Sequence, residues 1–306
     1  MLELSDWERV GSRLATRGVR PAAVHSVTRV TPPQVVSREP EGHTVMSDSS
    51  HHTFRDRLAR REPLLGTLLT LPSPEIAELL ASAGFDWLFI DMEHGLLDFE
   101  IVQRMVQAAG SACPCLVRVP YNEPILIGKA LDTGAAGVIV PHVGTPEEAR
   151  AAVRAAKYPP TGARSIGAGR AQGYGRRIQQ AIAGDNESTV VVAQVEHADA
   201  VPQMAEIVAV RGVNAVFIGP FDLSASFGKP GEIDAPDVRQ AIGAIVAACA
   251  ARPLPCGLFV GDGDAACRAF GDGHSLVCAA TDTLLLGDAA SRLRSASAPD
   301  GSGARG

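Results

Sequence analysis

The chain has 306 residues, 46% of them hydrophobic and 20% charged, with a formal net charge of −6. That length suffices for one large core. The acidic balance lacks the basic patch that nucleic-acid binding shows, and no apolar run approaches the roughly 20 residues of a membrane span.

Residues 1–52 carry no sustained period and include VTRVTPPQVVSREPEGH and SDSSHH. They read as a disordered leader in which His51 and His52 have no role, with Met46 as an alternative start. Glu3, Asp6 and Glu8 and the lack of a long apolar stretch argue against a secretory signal. The barrel unit is expected over 53–294. The tail over 295–306, ending SAPDGSGARG, reads as low-complexity and disordered.

From Leu64 onward short apolar runs alternate with helical segments. LLGTLLTL (64–71) is predicted as a strand. Pro74–Ala83 is predicted as a helix with Ser73 as its cap and Pro74 in the first turn. FDWLFID (85–91) reads as a strand, Phe99–Ala109 as a helix, CLVRV (115–119) as a strand, and Pro124–Thr133 as a helix. GVIVPHV (137–143) is a strand, followed by a helix over Pro146–Lys157 capped by Thr145. The Gly-rich stretch YPPTGARSIGAGRAQGYG (158–175) has no strand before it, so it reads as a mobile loop rather than a dinucleotide fingerprint. Then come strand TVVVAQVE (189–196), helix Ala200–Val210, strand AVFIG (215–219) and helix Pro236–Ala251. Strand CGLFVG (256–261), helix Asp264–Phe270, strand SLVCAA (275–280) and helix Thr283–Leu293 complete the series. Near-continuous apolar strands indicate a parallel sheet buried on both faces. Eight regular strand–helix units favour an α/β fold of the (β/α)8 TIM-barrel type, whose chemistry sits where the strands end.

Those ends are polar. The second strand ends in Asp91-Met92-Glu93-His94, the third carries Arg118, the fourth ends in Pro141-His142, the fifth in Gln194-Val195-Glu196-His197, and the sixth in Gly219-Pro220-Phe221-Asp222. In a barrel these converge on one mouth. Glu196 and Asp222, on neighbouring strands, suit a hard divalent cation such as Mg2+ or Mn2+; the plainer reading is two solvated or arginine-paired acids. His94 could be a general base or a rim histidine. Arg118 must be paired or face an anion. Gly219-Pro220 frees backbone N–H groups for a ligand carboxylate or simply makes a turn. His142 and His197 could support the site residues from behind, but the reading favoured is satisfied rim histidines. Of the six cysteines, Cys249, Cys256 and Cys278 sit in apolar company and suggest a reducing, cytoplasmic setting. Cys113-Pro-Cys115 has no second ligand pair at zinc-site spacing.

The blocks AGFDWLFIDMEHG (83–95), LVRVPYNEP (116–124), LDTGAAGVIVPHV (131–143), YPPTGARSIG (158–167), QVEHADAV (194–201), VFIGPFDLSASFG (216–228) and TDTLLL (281–286) resemble, in order, the HpcH/HpaI aldolase family of metal-dependent pyruvate aldolases. The resemblance spans about Phe54 to Leu293. It implies that Glu196 and Asp222 bind the metal (Mg2+ or Mn2+, with Co2+ as a substitute). It implies that Gln194 and the backbone around Gly219, Phe221 and Asp222 bind pyruvate, that His94 is the acid/base residue, and that Arg118 stabilises an enolate. Asp132 matches an aspartate that raises the basicity of the histidine. It precedes the fourth strand, on the far face of its own barrel, so it would reach a His94 from a neighbouring subunit of a homohexamer whose last helix is exchanged between partners. Met92 and Phe221 stand where relatives often have smaller residues.

The expected reaction is cleavage of a 4-hydroxy-2-oxo acid to pyruvate and an aldehyde through an enolate. The rivals are an oxaloacetate decarboxylase or a macrophomate-synthase-like enzyme using the same enolate, a citryl- or malyl-CoA lyase, and a non-catalytic barrel scaffold. No lysine stands at a matching strand end, which argues against Schiff-base chemistry.

Overall fold

The computed structural model describes residues 53–111 and 113–297. The expected leader over 1–52 and the tail beyond 297 lie outside the described residues. Eight strands, β1 (Leu64–Leu69), β2 (Trp87–Asp91), β3 (Cys115–Arg118), β4 (Gly137–Val140), β5 (Val190–Val195), β6 (Ala215–Ile218), β7 (Cys256–Val260) and β8 (Leu276–Thr281), pair in sequence order. All pairings are parallel and β8 closes onto β1, so the barrel expected from the sequence is present.

The helices are α1 (Phe54–Ala59), α2 (Pro74–Ser82), α3 (Phe99–Ala109), α4 (Pro124–Asp132), α5 (Pro146–Ala156), α6 (Ile178–Ser188), α7 (Met204–Ile207), α8 (Pro220–Ser226), α9 (Pro236–Ala250), α10 (Gly263–Gly271) and α11 (Asp282–Ala296). Their starts follow from the sequence. Ser73, Asp98, Thr145, Asp262 and Thr281 each accept a backbone N–H of the following first turn, satisfying a donor that the helix itself leaves unpaired.

Five stretches differ from expectation. The short helix α1 precedes Leu64, where the alternating pattern began. Its Leu58 joins the barrel's interior cluster with Leu64, Trp87, Val190 and Leu276, closing the N-terminal end. The Gly-rich stretch is not a free loop. Arg164 and Gln172 are buried in it, Arg164 stacks 4.7 Å over the Tyr158 ring, and Gln172 donates to the Tyr158 hydroxyl at 2.7 Å. It leads into α6, whose weak amphipathic pattern gave no signal. The helix expected over 200–210 is a 3-10 turn (Ala198–Gln203) followed by α7, with Pro202 inside the turn where it can give no backbone N–H. Gly219-Pro220 opens α8, because proline suits the first helical position. The last helix runs to Ala296, past the expected boundary at 294.

Alternate residues of each strand point into the barrel. From β2 these are Trp87, Phe89 and Asp91. Trp87 and Phe89 meet Phe217 of β6, with Phe89 and Phe217 edge-to-face at 5.5 Å, and this aromatic layer floors the C-terminal mouth. Gly66 of β1 makes room for it, since a Cβ there would lie 2.4 Å from the Trp87 ring. Gly66→Ala is therefore expected to lower stability by about 1–3 kcal/mol through overpacking, measured by urea unfolding of the purified protein.

Candidate active site

The segment Asp91-Met92-Glu93-His94-Gly95 is a turn folded over a carboxylate. Asp91 is inward-facing and buried, and its Oδ1 accepts the backbone N–H groups of Glu93 (3.0 Å) and His94 (3.3 Å). Gly95 follows because a Cβ there would sit 2.3 Å from the Asp91 carbonyl oxygen. Asp91 and Arg118 are register partners across β2 and β3. The guanidinium donates through Nε to Oδ1 (2.8 Å) and through Nη2 to Oδ2 (2.7 Å), the two-pronged arrangement that fits a planar fork to a carboxylate. Arg118 also lies 5.2 Å from the Phe89 ring centre, 3.0 Å from Glu93 Oε2 and 3.5 Å from Gln194 Oε1, its Nη1 donating to the latter. Burial opposes its charge, but Asp91, Glu93 and Glu196 more than offset this and hold its pKa above the usual arginine value. Burial, with Glu196 adding to it, pushes the Glu93 carboxyl up despite Arg118.

Glu196, just past β5, is buried. Its Oε1 accepts the His142 backbone N–H at 2.7 Å, and its Oε2 accepts Gln194 Nε2. A Cβ at Gly219 would lie 2.8 Å from Oε2, so the backbone of Gly219 rests directly on this carboxylate. His142, at φ +56°, brings Nε2 to 3.0 Å from Glu93 Oε1 and Nδ1 to 3.0 Å from Glu196 Oε1. Glu93, His142 and Glu196 can each offer a ligand atom within 4.8 Å of the others, and among the described residues they form the one such group of three.

Beside it opens a cavity of about 370 Å³ whose walls include Asp91, His94, Arg118, Gln194, Gly219, Phe221 and Asp222. Six of the residues expected at the site from sequence thus line one space. Glu196 faces an adjoining cavity of about 350 Å³ with His142 and His197. Asp222, exposed in the first turn of α8, is not in the three-ligand group. Asp132 is elsewhere. It ends α4, before β4 starts, and its Oδ1 accepts from Arg164 (2.8 Å) and Gln172 (2.9 Å) at the N-terminal end of the barrel. A roomier cavity of about 690 Å³ also lies at that end, lined by Arg55, Arg164, Arg170 and Arg177. The strand-end residues are absent from its lining.

In the sequence Asp91, Glu93 and His142 stood among the polar strand ends, but none of them was assigned a role in the site. Asp91 was within reach, because it continues the Trp87, Phe89 alternation. Glu93 and His142 sit in turns after the strands, where no period says which way a side chain points.

Residues 65–289 match the family model described as HpcH/HpaI aldolase/citrate lyase. The chain belongs to this family. A 2-dehydro-3,6-dideoxy-6-sulfogluconate aldolase of Pseudomonas putida is 38% identical over 244 residues, covering 77% of this chain and 93% of the relative. A 5-keto-4-deoxy-D-glucarate aldolase of Salmonella paratyphi A is 36% identical over 206 residues, covering 67% and 80%. The crystal structure of a HpcH/HpaI aldolase/citrate lyase family protein from Burkholderia cenocepacia J2315 superposes with a TM-score of 0.76 at 37% identity, covering 79% of this chain and 97% of that one. The HpcH/HpaI resemblance read from the sequence blocks holds, and membership supports a lyase.

In this HpcH/HpaI protein the Asp91–Arg118 pair is the buried electrostatic element beneath the cavity. Asp91→Ala would leave a buried guanidinium without its two-pronged partner, at a cost of about 3–5 kcal/mol. Exposed Asp222→Ala should stay within about 0.5 kcal/mol of wild type. Paired urea titrations of the two variants check the contrast.

Proposed function

We propose that the protein is a class II pyruvate aldolase that cleaves 4-hydroxy-2-oxo acids to pyruvate and an aldehyde. The observation that carries this reading is the single cavity lined by His94, Arg118, Gln194 and Asp222, with the Glu196 carboxylate against its Gly219 wall. The relatives' activity on sugar-acid substrates supports the same reaction class.

The donor set fits a divalent cation. Asp91, Glu93 and Glu196 converge on one guanidinium, an excess of negative charge that a cation relieves. Glu196 and Asp222 would hold it, and Mg2+ or Mn2+, with Co2+ as a substitute, suits carboxylate oxygens. When bound, the cation supplies Lewis-acid polarisation of the carboxylate and keto oxygens of the 2-oxo acid.

The protein's own groups do the rest. Gln194, bonded to both Arg118 and Glu196, and the first-turn N–H groups of Phe221 and Asp222 beside Gly219 orient the 2-oxo acid. His94 takes the C4 hydroxyl proton. The O–H electron pair forms the aldehyde C=O, the C3–C4 bond breaks, and its electrons pass into the pyruvate enolate. Arg118 is already fixed by Asp91, so its charge meets the developing oxyanion without reorganisation. Protonation at C3 releases pyruvate. The residues lining the cavity include no lysine, in keeping with a route without a Schiff base.

Asp132 would act on His94 only from a neighbouring chain. The last helix supports such an assembly: α11 buries Asp282, while Leu284, Leu285, Leu286 and Leu293 are exposed. Leucines left exposed around a helix favour a partner that covers them, and a homohexamer exchanging this helix is the arrangement the resemblance implies. The free, mostly buried thiols suit a cytoplasmic setting.

His94→Ala is expected to slow aldol cleavage about 10²–10⁴-fold. Oxaloacetate decarboxylation, which removes no hydroxyl proton, should suffer much less. Pyruvate release from the two substrates checks this, and equal losses remove His94 from the proton transfer. In a second test, wild type supplied with Mg2+, Mn2+ or Co2+ should exchange solvent deuterium into the pyruvate methyl group. Chelation, Glu196→Ala and Asp222→Ala should each abolish the exchange. No exchange in the metal-supplied wild type overturns the aldolase reading.

A further inference from the structure

We propose that the arginine-lined cavity at the N-terminal end of the barrel binds a small phosphate ester. This site is independent of the aldolase reading, because the cavity shares no lining residue with the catalytic mouth.

The start of α1, the ends of α3 and α4, and the Gly-rich stretch with α6 enclose the cavity. Its volume of about 690 Å³ is that of a small-molecule site. Four guanidiniums gathered there, from Arg55, Arg164, Arg170 and Arg177, repel one another, and the acids present do not balance them. Asp132 holds Arg164 at 2.8 Å, and Glu187 approaches Arg55 at only 3.4 Å. Arg170 and Arg177 have no acid within ion-pair distance among the described residues. Arg170 donates through Nη1 to the Thr133 carbonyl at 2.8 Å, and the Arg177 side chain makes no hydrogen bond among the described residues. The one acid in the lining, Asp185, has its carboxyl pushed up by burial, against the pull of Arg164 and Arg177. Burial first, and the Arg55 charge next, push the neighbouring Lys157 down to about 8. A local excess of positive charge thus stands in a chain whose net charge is −6.

The backbone is shaped around the two arginines that lack acids. A Cβ on Gly134 would lie 2.3 Å from Arg170 Nη1, and one on Gly173 would lie 2.9 Å from Arg177 Nε. Both glycines are left-handed, at φ +88° and +60°, a conformation that glycine adopts without strain. The helix beside them adds donors. Arg177 is the N-cap of α6 and provides no side-chain cap for its first turn, and an uncapped helix N-terminus attracts anions.

The donors select the ligand. A guanidinium fork matches phosphate in two-pronged fashion. Two such forks and a helix end offer more donors than the two oxygens of a carboxylate accept, whereas a phosphate ester presents three strong acceptor oxygens. Phe54, Val106, Leu131 and Ala135 supply an apolar wall. The organic body of an ester would cover that wall and gain from its burial, as inorganic phosphate would not.

Phenyl phosphate and inorganic phosphate are titrated into the full-length protein by calorimetry, with phenol as the control for the apolar wall alone. Phenyl phosphate is expected to bind about tenfold more tightly than inorganic phosphate, and phenol not to bind. Arg177→Gln alters an exposed side chain and should fold as wild type. It should weaken phenyl phosphate about tenfold or more, the effect of removing a hydrogen-bonded charge, while pyruvate release from a 4-hydroxy-2-oxo acid stays within about twofold of wild type. Arg170→Gln should weaken binding to a similar degree. A wild-type Kd in Arg177→Gln places the anion elsewhere and overturns the inference. Equal Kd values for the two phosphates mean an adventitious ion only and overturn it too, as does a wild type that binds neither. A protein that binds phenyl phosphate as expected but releases no pyruvate keeps this site and loses the aldolase reading.

Discussion

The site depends on one buried ion pair. Asp91 and Arg118 face each other across adjacent parallel strands, each pointing inward by the alternation of its strand. Neither charge would be tolerated in the barrel alone. Together they set a cation above an aromatic floor and leave Asp91 free to accept two backbone N–H groups from the turn that carries Glu93 and His94. The same carboxylate thus orients the guanidinium and shapes the loop that presents the histidine.

The rest of the mouth follows from charge balance. One guanidinium meets Asp91 and Glu93 and feels the charge of Glu196, and Gln194 spans Arg118 and Glu196 without adding charge. Burial of Glu93 beside Glu196 raises its pKa. Such a cluster is stable when something positive sits among the acids, which is a physical reason to expect a divalent cation there. Gly219 lets the backbone of the neighbouring strand approach Glu196 closely, so the Glu196 carboxylate and the cavity share a wall.

The opposite end of the barrel has a different character. Arg164 and Gln172, from a stretch that sequence alone suggested was loose, clasp Asp132 and stack on Tyr158. This makes Asp132 a fixed feature of the N-terminal face, remote in the barrel from its own His94. The exposed leucines of α11 form a second surface, apolar and uncovered among the described residues.

Strand–helix alternation, helix caps and the polar ends of strands were legible in the sequence, because they are local: a period of two, a Ser or Asp before a helix, and a charge interrupting an apolar run. These were enough for the barrel and for placing His94, Arg118, Gln194, Glu196 and Asp222 at one end. Only the tertiary structure decided the partners. Asp91 pairs with Arg118 because strand register sets them opposite. Glu93 and His142 meet Glu196 because two turns from different strands fold back over the mouth, one through a left-handed residue. Asp222 stays outside that trio because Gly219-Pro220 starts a helix that carries it to the cavity rim. The direction of a side chain in a turn depends on the neighbours that hold it, and those neighbours come from distant parts of the chain.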